Sequence, residues 1–206
     1  MKKHLVGNRL FKMKLITDKK LFLASASPRR RQLLQELDVD IHLIEPRDIE
    51  ENYPEDLDCF KVAEYISTEK ALAYKDIVTP VQIIITADTV VICDGEVLGK
   101  PHGGKDEAVE MLKKLSDKTH HVVTGVSLLT TEGVRSFSTV TEVTFDKLSD
   151  DEIAYYVEKY KPFDKAGAYG IQEWIGYIGI KGIKGCYYNV MGLPLHDLYS
   201  HLCQLG

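Results

Sequence analysis

Leu21-Phe22-Leu23-Ala24-Ser25-Ala26-Ser27-Pro28-Arg29-Arg30-Arg31 is the stretch on which the reading of this chain turns. Leu21 to Leu23 is an apolar run that suits a buried strand. Ser27 is a good N-cap, and Pro28 suits the first helical position, where its missing N–H costs nothing. The helix then continues through Gln32-Leu33-Leu34-Gln35-Glu36-Leu37. Its start gathers free N–H groups, two serine hydroxyls and three arginines. Oriented donors and guanidinium forks are what an oligophosphate requires. Cations at a helix N-terminus oppose the macrodipole, so arginines here point to an anion held between them. The plainer alternative is a capped surface helix with a basic first turn.

Bulk properties narrow the choice. A chain of 206 residues makes one large domain or two closely joined lobes. Its net charge of -5 argues against sequence-independent binding of nucleic acid; local Lys/Arg clusters on an acidic body suit a small anionic ligand. Cys59, Cys93, Cys186 and Cys203 are scattered without CxxC or zinc spacing, so reduced thiols in a cytoplasmic protein are expected. No apolar run approaches a membrane span. Lys19-Lys20, Leu21-Phe22-Leu23 and Ala24-Ser25-Ala26 imitate a signal peptide, but the apolar part is far too short. Residues 1–18 read as an N-terminal extension without clear period, and residues 19–206 as a single domain.

Downstream, Val39, Ile41 and Leu43 alternate as a half-buried strand with His42 on its polar face. The acidic loop Glu45 to Pro54 is of a kind that is usually just solvated, although one carboxylate there can reach a divalent cation. Residues 56–76 carry helical spacing. Lys70 falls near the apolar stripe between Ile66 and Ala73, and the pattern by itself favours a snorkelling lysine over one aimed at an anion. Val81 to Thr86 is the most apolar run and reads as a central strand covered on both faces. It delivers Ala87-Asp88-Thr89 at its C-terminal end, where open α/β sheets place ligand sites; a turn or capping aspartate is the alternative. A second strand, Val90 to Cys93, turns at Asp94-Gly95 into Glu96 to Leu98, so Asp88 and Lys100 flank a hairpin.

A helix at about 105–116 and strands at 121–129 and 135–145 follow. His120 and His121 face opposite ways on a strand and cannot easily share a metal; no HExxH is present. Ser149-Asp150-Asp151-Glu152 is a capping box that opens a helix to Tyr160. Asp164 to Glu173 is a small-residue loop bracketed by polar groups, whose glycines permit close approach to a ligand. Ile175 to Val190, Gly-rich and β-branched, reads as two short strands, and a helix from Leu195 closes the chain.

The chemistry-bearing residues form a coherent set: a phosphate cradle (Ser27, Arg29, Arg30), Asp88 on the central strand, Lys70 and Lys100, Glu51 in the acidic loop, and Gln172. Oligophosphate hydrolysis uses such a set. Cations neutralise phosphates and stabilise charge in the transition state. A carboxylate activates water as base or holds a divalent metal that does so. A glutamine both accepts and donates at a base edge. With no Walker-type P-loop and no GxGxxG, kinase and dinucleotide-dehydrogenase readings have little support.

These motifs, in this order, resemble the Maf family of nucleoside triphosphate pyrophosphatases: LASASPRR at 23–30, the acidic loop ending near Glu51, EKA at 69–71, ITADTVV at 85–91, LGKP at 98–101, DKAGAYGIQ at 164–172 and GLPL at 192–195. The resemblance implies an α/β fold with a curved mixed β-sheet flanked by helices, and two lobes around a central cleft. It implies hydrolysis of a nucleoside triphosphate to the monophosphate and pyrophosphate with Mg²⁺ or Mn²⁺. Asp88, Lys100 and Glu51 would be the catalytic set, with Asp88 the proton acceptor and Glu51 and Asp88 the metal-binding carboxylates. Ser27, Arg29, Lys70 and Lys100 would contact phosphates. Arg30, Thr89 and Gln172 are similar to the branch that hydrolyses dTTP and UTP; the branch acting on 7-methyl-GTP usually has a tryptophan before its arginines, SDQ in place of ADT and an acidic residue near position 172. Homodimers are common in such proteins. Arg31 and Glu173-Trp174 are local departures. A nucleotide-sensing regulator of cell division and a nucleic-acid binder acting through Arg29–Arg31 are the competing classes.

Overall fold

The computed structural model describes residues 17–205, so the first sixteen residues of the N-terminal extension lie outside the described residues. The fold is the expected α/β one, a mixed seven-stranded sheet with helices packed on it. β1 (Lys20–Leu23) lies parallel to both β2 (Ile41–Leu43) and β3 (Gln82–Cys93). The remaining pairings are antiparallel: β3 with β4 (Glu96–Leu98), β3 with β5 (Thr119–Thr130), β5 with β6 (Gly133–Phe145), and β6 with β7 (Ile180–Lys184).

The period of two in β3 divides the interior. Its even positions, Ile84, Val90 and Ile92, face α2 (Val62–Leu72), which packs through Val62, Ala63, Ile66 and Ala71. Its odd positions face the other layer. Ile83, Ile85 and Ala87 join α1 (Pro28–Gln35) and the C-terminal α7 (Leu195–Cys203) through Leu33, Leu34, Leu198 and Leu202. Val91 and Cys93 join α3 (Lys105–Leu115) and α4 (Asp150–Tyr160) through Leu112, Leu115, Ile153 and Tyr156. Two apolar clusters thus share one face of the sheet, and Thr89 stands between them.

Four local readings differ from the structure. β3 is one strand of 12 residues, so Asp88 sits within it and not at a strand end. β5 continues pairing straight through the polar Ala87-Asp88-Thr89 segment, with Asp88 opposite Gly125. The break in hydrophobicity marks a change on the other edge: β1 pairs with residues 82–85 and β4 with 91–93, leaving the stretch between them without a strand neighbour. The expected helix over 56–76 is shorter, with a 3₁₀ turn at Cys59–Lys61 before α2. The 39–44 strand shrinks to β2. Residues 175–190 form α5 (Trp174–Gly179), β7 and α6 (Tyr187–Val190); only the middle piece finds a ladder, on β6. The capping box of α4 and the Ser27 cap of α1 are both present. Among the described residues no helix is long and apolar enough to cross a membrane.

Candidate active site

A cleft of about 730 Å³ opens over the stretch of β3 whose edge lies open between β1 and β4. All nine sequence-selected residues line it: Ser27, Arg29, Arg30, Glu51, Lys70, Asp88, Thr89, Lys100 and Gln172. Arg31 is exposed and does not line it, so the triple arginine acts there as a pair.

Asp88 and Lys70 are placed by the close approach of α2 to the sheet. A Cβ on Gly125 would come 2.2 Å from the Ala63 carbonyl oxygen, so only glycine lets the helix backbone lie against β5 there. A buried hydroxyl cluster fixes the same contact: Ser67 and Ser127 Oγ are 2.8 Å apart, and Thr86 Oγ1 donates to the Ser67 carbonyl at 2.7 Å. Lys70, one turn further along α2, is thereby aimed into the cleft instead of snorkelling. Its ammonium is 2.7 Å from Asp88 Oδ1 and 2.7 Å from Glu51 Oε1. Asp88 is 7% exposed. Burial pushes the Glu51 carboxyl up, but the hydrogen bond and charge of Lys70, with Lys100 and Arg30 behind it, hold it below the usual carboxylate range.

Glu51 reaches this point on a loop without regular structure, and the loop is tied down at its start. The Tyr74 hydroxyl donates to the Glu45 carbonyl at 2.8 Å and accepts from the Arg47 N–H at 2.6 Å. The Arg47 guanidinium pairs with Asp76 at 2.6 Å and lies over the Tyr74 ring. Lys100 follows β4 at the exposed rim of the cleft.

Arg30 builds the opposite wall. Its Nε donates to the Gly192 carbonyl at 2.8 Å, Nη1 to the Ala87 carbonyl at 2.8 Å and Nη2 to Thr89 Oγ1 at 2.9 Å. Thr124 Oγ1 donates to the Asn189 carbonyl at 3.0 Å, so the 3.0 Å contact between Thr89 and Thr124 has Thr89 as donor. The chain of donors therefore runs one way, from Arg30 through Thr89 and Thr124 to Asn189. Arg30 and Thr89 shape the wall with these donors already engaged. Burial lowers the affinity of the Arg30 guanidinium for its proton, against the pull of Asp88.

Gln172 lines the cleft beyond this wall, and its side-chain Oε1 is buried without a hydrogen-bond partner. An acceptor left so costs roughly 1–3 kcal/mol until a donor reaches it. A donor on a bound molecule, or a water, would satisfy it. Arg29 stands at the cleft mouth, paired with Asp164 at 2.8 Å. Asp164 and Lys165 also line the cleft and were not selected from the sequence. Their signal in the sequence is the Asp-Lys pair that opens the Gly-rich loop. Gly167 in that loop has φ 65° and would place a Cβ 2.9 Å from Val91, and its N–H donates to the Gly99 carbonyl at 3.0 Å, so the loop is pinned beside Lys100.

A cleft lined by cations, by two carboxylates on one lysine and by an unpaired amide oxygen suits a nucleoside oligophosphate. Comparisons with known proteins agree. A family model described as Maf-like protein matches residues 20–205. The chain is 55% identical over 185 residues to a Bacteroides thetaiotaomicron protein named dTTP/UTP pyrophosphatase, covering 90% of this chain and 95% of that one. A Phocaeicola vulgatus protein of the same name is 55% identical over 186 residues, covering 90% and 96%. Among solved structures, the Staphylococcus aureus Ham1 protein superposes with a TM-score of 0.54 at 17% identity, over 91% of this chain and 100% of that one, a likeness of fold alone. With the family match spanning nearly every described residue, this chain belongs to the Maf-like protein family.

Proposed function

We propose that this protein hydrolyses dTTP and UTP, and modified pyrimidine nucleotides like them, to the monophosphate and pyrophosphate, clearing surplus or non-canonical nucleotides from the pool. The observation that carries the reading is the Lys70 ammonium held between Asp88 and Glu51 in a cleft that also presents Arg29, Lys100 and Gln172. The names of its relatives at 55% identity support the same substrates.

In this reading Arg29, Lys70, Lys100 and the start of α1 at Ser27 take the triphosphate, whose charge they neutralise. The nucleobase lies toward Gln172. Water attacks the α-phosphorus, the bond to the bridging oxygen of the β-phosphate breaks, and pyrophosphate leaves. Lys70 occupies Oδ1 of Asp88, and Oδ2 serves as the base that accepts the proton of the water.

A divalent cation, Mg²⁺ or Mn²⁺, fits this donor set. Lys70 fills the point where Glu51 Oε1 and Asp88 Oδ1 converge, and with its ammonium drawn to the entering phosphates the two carboxylates would hold the ion, as Mg²⁺ is usually bound through one or two carboxylates plus substrate phosphates. Among the described residues no group of three His, Cys, Asp or Glu side chains gathers as a metal site, which suits a cation brought in with the triphosphate. When bound, the ion would neutralise phosphate charge and lower the pKa of water. The four cysteines are unpaired, in keeping with a cytoplasmic setting, and a homodimer is the assembly we expect.

The test is pyrophosphate release by the purified protein with Mg²⁺ or Mn²⁺ across dTTP, UTP, CTP, GTP and 7-methyl-GTP. Turnover of dTTP and UTP above the rest is expected and should vanish with EDTA. Preference for 7-methyl-GTP or CTP would overturn the substrate reading, and silence on all five would overturn the enzymatic one.

A further inference from the structure

Glu173 follows Gln172 directly and does not line the cleft; it lies behind the wall that Gln172 presents. Both of its oxygens are engaged. Oε2 accepts from the Tyr156 hydroxyl, and Oε1 pairs with the Lys165 ammonium at 3.1 Å. Tyr156 is fully buried on α4, and its hydroxyl oxygen also accepts from the Gly170 N–H at 3.1 Å. Lys165 is 7% exposed, and its ammonium also meets Asp164 at 2.8 Å. Asp164 in turn holds Arg29 at 2.8 Å. A continuous chain therefore runs Arg29–Asp164–Lys165–Glu173–Tyr156–Gly170, with charges alternating along its first four members. It joins the phosphate end of the cleft to the loop that carries the base-facing glutamine.

We propose that Glu173 is a positioning residue for substrate selection: by holding Lys165 and Tyr156 together it locks the 164–173 loop, so that Gln172 meets the base while Arg29 stays at the phosphates. The proposal rests on the reading of this cleft as a nucleotide pyrophosphatase site. The physics is that of a low-exposure ion pair between Lys165 and Glu173. Lys165 has almost no water to replace a lost partner, so removing Glu173 leaves its charge half-compensated and frees the loop at its C-terminal end. The Asp164 carboxyl, 57% exposed, is the solvated link of the chain. Burial pushes it up, yet Lys165 and Arg29 bring it down to about 2.

The variants are Glu173→Gln, which keeps an acceptor for Tyr156 but loses the charge facing Lys165, and Glu173→Ala, which loses both. Kinetics with dTTP and CTP should show the kcat/KM ratio falling about tenfold in Glu173→Ala, mostly through KM for dTTP, and by less in Glu173→Gln. A merely structural glutamate would lower the melting temperature and all rates together and leave that ratio unchanged, which would overturn the proposal. Trp174, the only tryptophan of the chain, sits next to Glu173 and gives a readout independent of turnover. Acrylamide should quench its emission more readily in Glu173→Ala than in the wild type. If the wild type hydrolyses no nucleotide, the pyrophosphatase reading fails on its own account, and equal quenching in the two proteins would then sink the loop-locking role as well.

Discussion

The Lys70 ammonium and Asp88 Oδ1 stand 2.7 Å apart across the interface between α2 and the central strand, and the same ammonium reaches Glu51. The two carboxylates are therefore held within a few ångström of each other by one cation. Substrate phosphates entering the cleft would compete with Asp88 and Glu51 for Lys70. Asp88→Asn keeps the shape and an oxygen for Lys70 but removes the base. Turnover of dTTP should fall by about 10²–10⁴-fold with little change in KM, as expected for a group acting in the transition state. Steady-state kinetics on a variant whose melting temperature stays near that of the wild type checks this, and a rate within threefold of the wild type would remove Asp88 as base.

Lys70→Met separates charge from packing. Lys70 is the main counterweight to the burial of Glu51, and without it burial and the nearby Asp88 both favour the protonated acid. The Glu51 pKa then rises, so the acidic limb of kcat/KM should move to higher pH, with the variant losing more activity at about pH 5 than at about pH 8. Stability follows the same sign. A carboxyl held low in the folded protein contributes stability that is present above its unfolded pKa and is lost as pH falls through the folded value. The variant's deficit in melting temperature should thus be largest at neutral pH and shrink in acid. An acidic limb that stays in place would show that Glu51 does not govern it.

Much of this was legible in the sequence because local rules and chemistry agreed. Ser27-Pro28 marks a helix start, Ser149 and Glu152 mark another, and the residues chosen for their chemistry line one cleft. Lys70 was legible from the motif resemblance but not from the pattern of its own helix. Its spacing is that of a snorkelling lysine, and only the contact of α2 with Gly125, 55 residues later in the chain, aims it at Asp88. The strand break expected at Asp88 failed for a related reason. Polarity within β3 reflects which edge is open, a property of pairing with β1 and β4 that no single segment encodes. Residues 175–190 misled because β-branched residues and glycines carry strand preference, whereas only Ile180–Lys184 has a partner edge to pair with.

Gly125 is the least replaceable of these positions. Gly125→Ala puts a methyl 2.2 Å from the Ala63 carbonyl oxygen, and because the obstacle is backbone, α2 itself must shift. Overpacking of this kind costs roughly 1–3 kcal/mol, about 2–12 °C in melting temperature for a chain of this size. Activity should fall much further, about 10²-fold, since α2 carries Lys70. Gly182→Ala, where an added methyl meets nothing within 4 Å, is the control and should be neutral. If both variants melt and turn over alike, the packing argument for Lys70 is wrong.

Gln172 carries the argument for the base. Its buried, unpaired Oε1 seeks a donor, and its amide nitrogen can donate in return. The edge of thymine or uracil offers an imide N–H between two carbonyl oxygens, which satisfies both groups at once. Cytosine offers an amino group and a bare ring nitrogen, and the unprotonated nitrogen faces Oε1 with no proton to share. Gln172→Glu keeps the size, removes the donor and adds a second acceptor. Selectivity built on hydrogen bonds to a buried polar group is steep, because the wrong ligand leaves that group unpaired. The ratio of kcat/KM for dTTP over CTP should fall by about 10–10²-fold, with UTP following dTTP. The charge of the new carboxylate will lower affinity for every triphosphate, so the ratio, and not the absolute rate, is the quantity that decides. A ratio equal to that of the wild type would mean that the base is read elsewhere along the wall, with the backbone around Gly192 next in line because Arg30 holds it there.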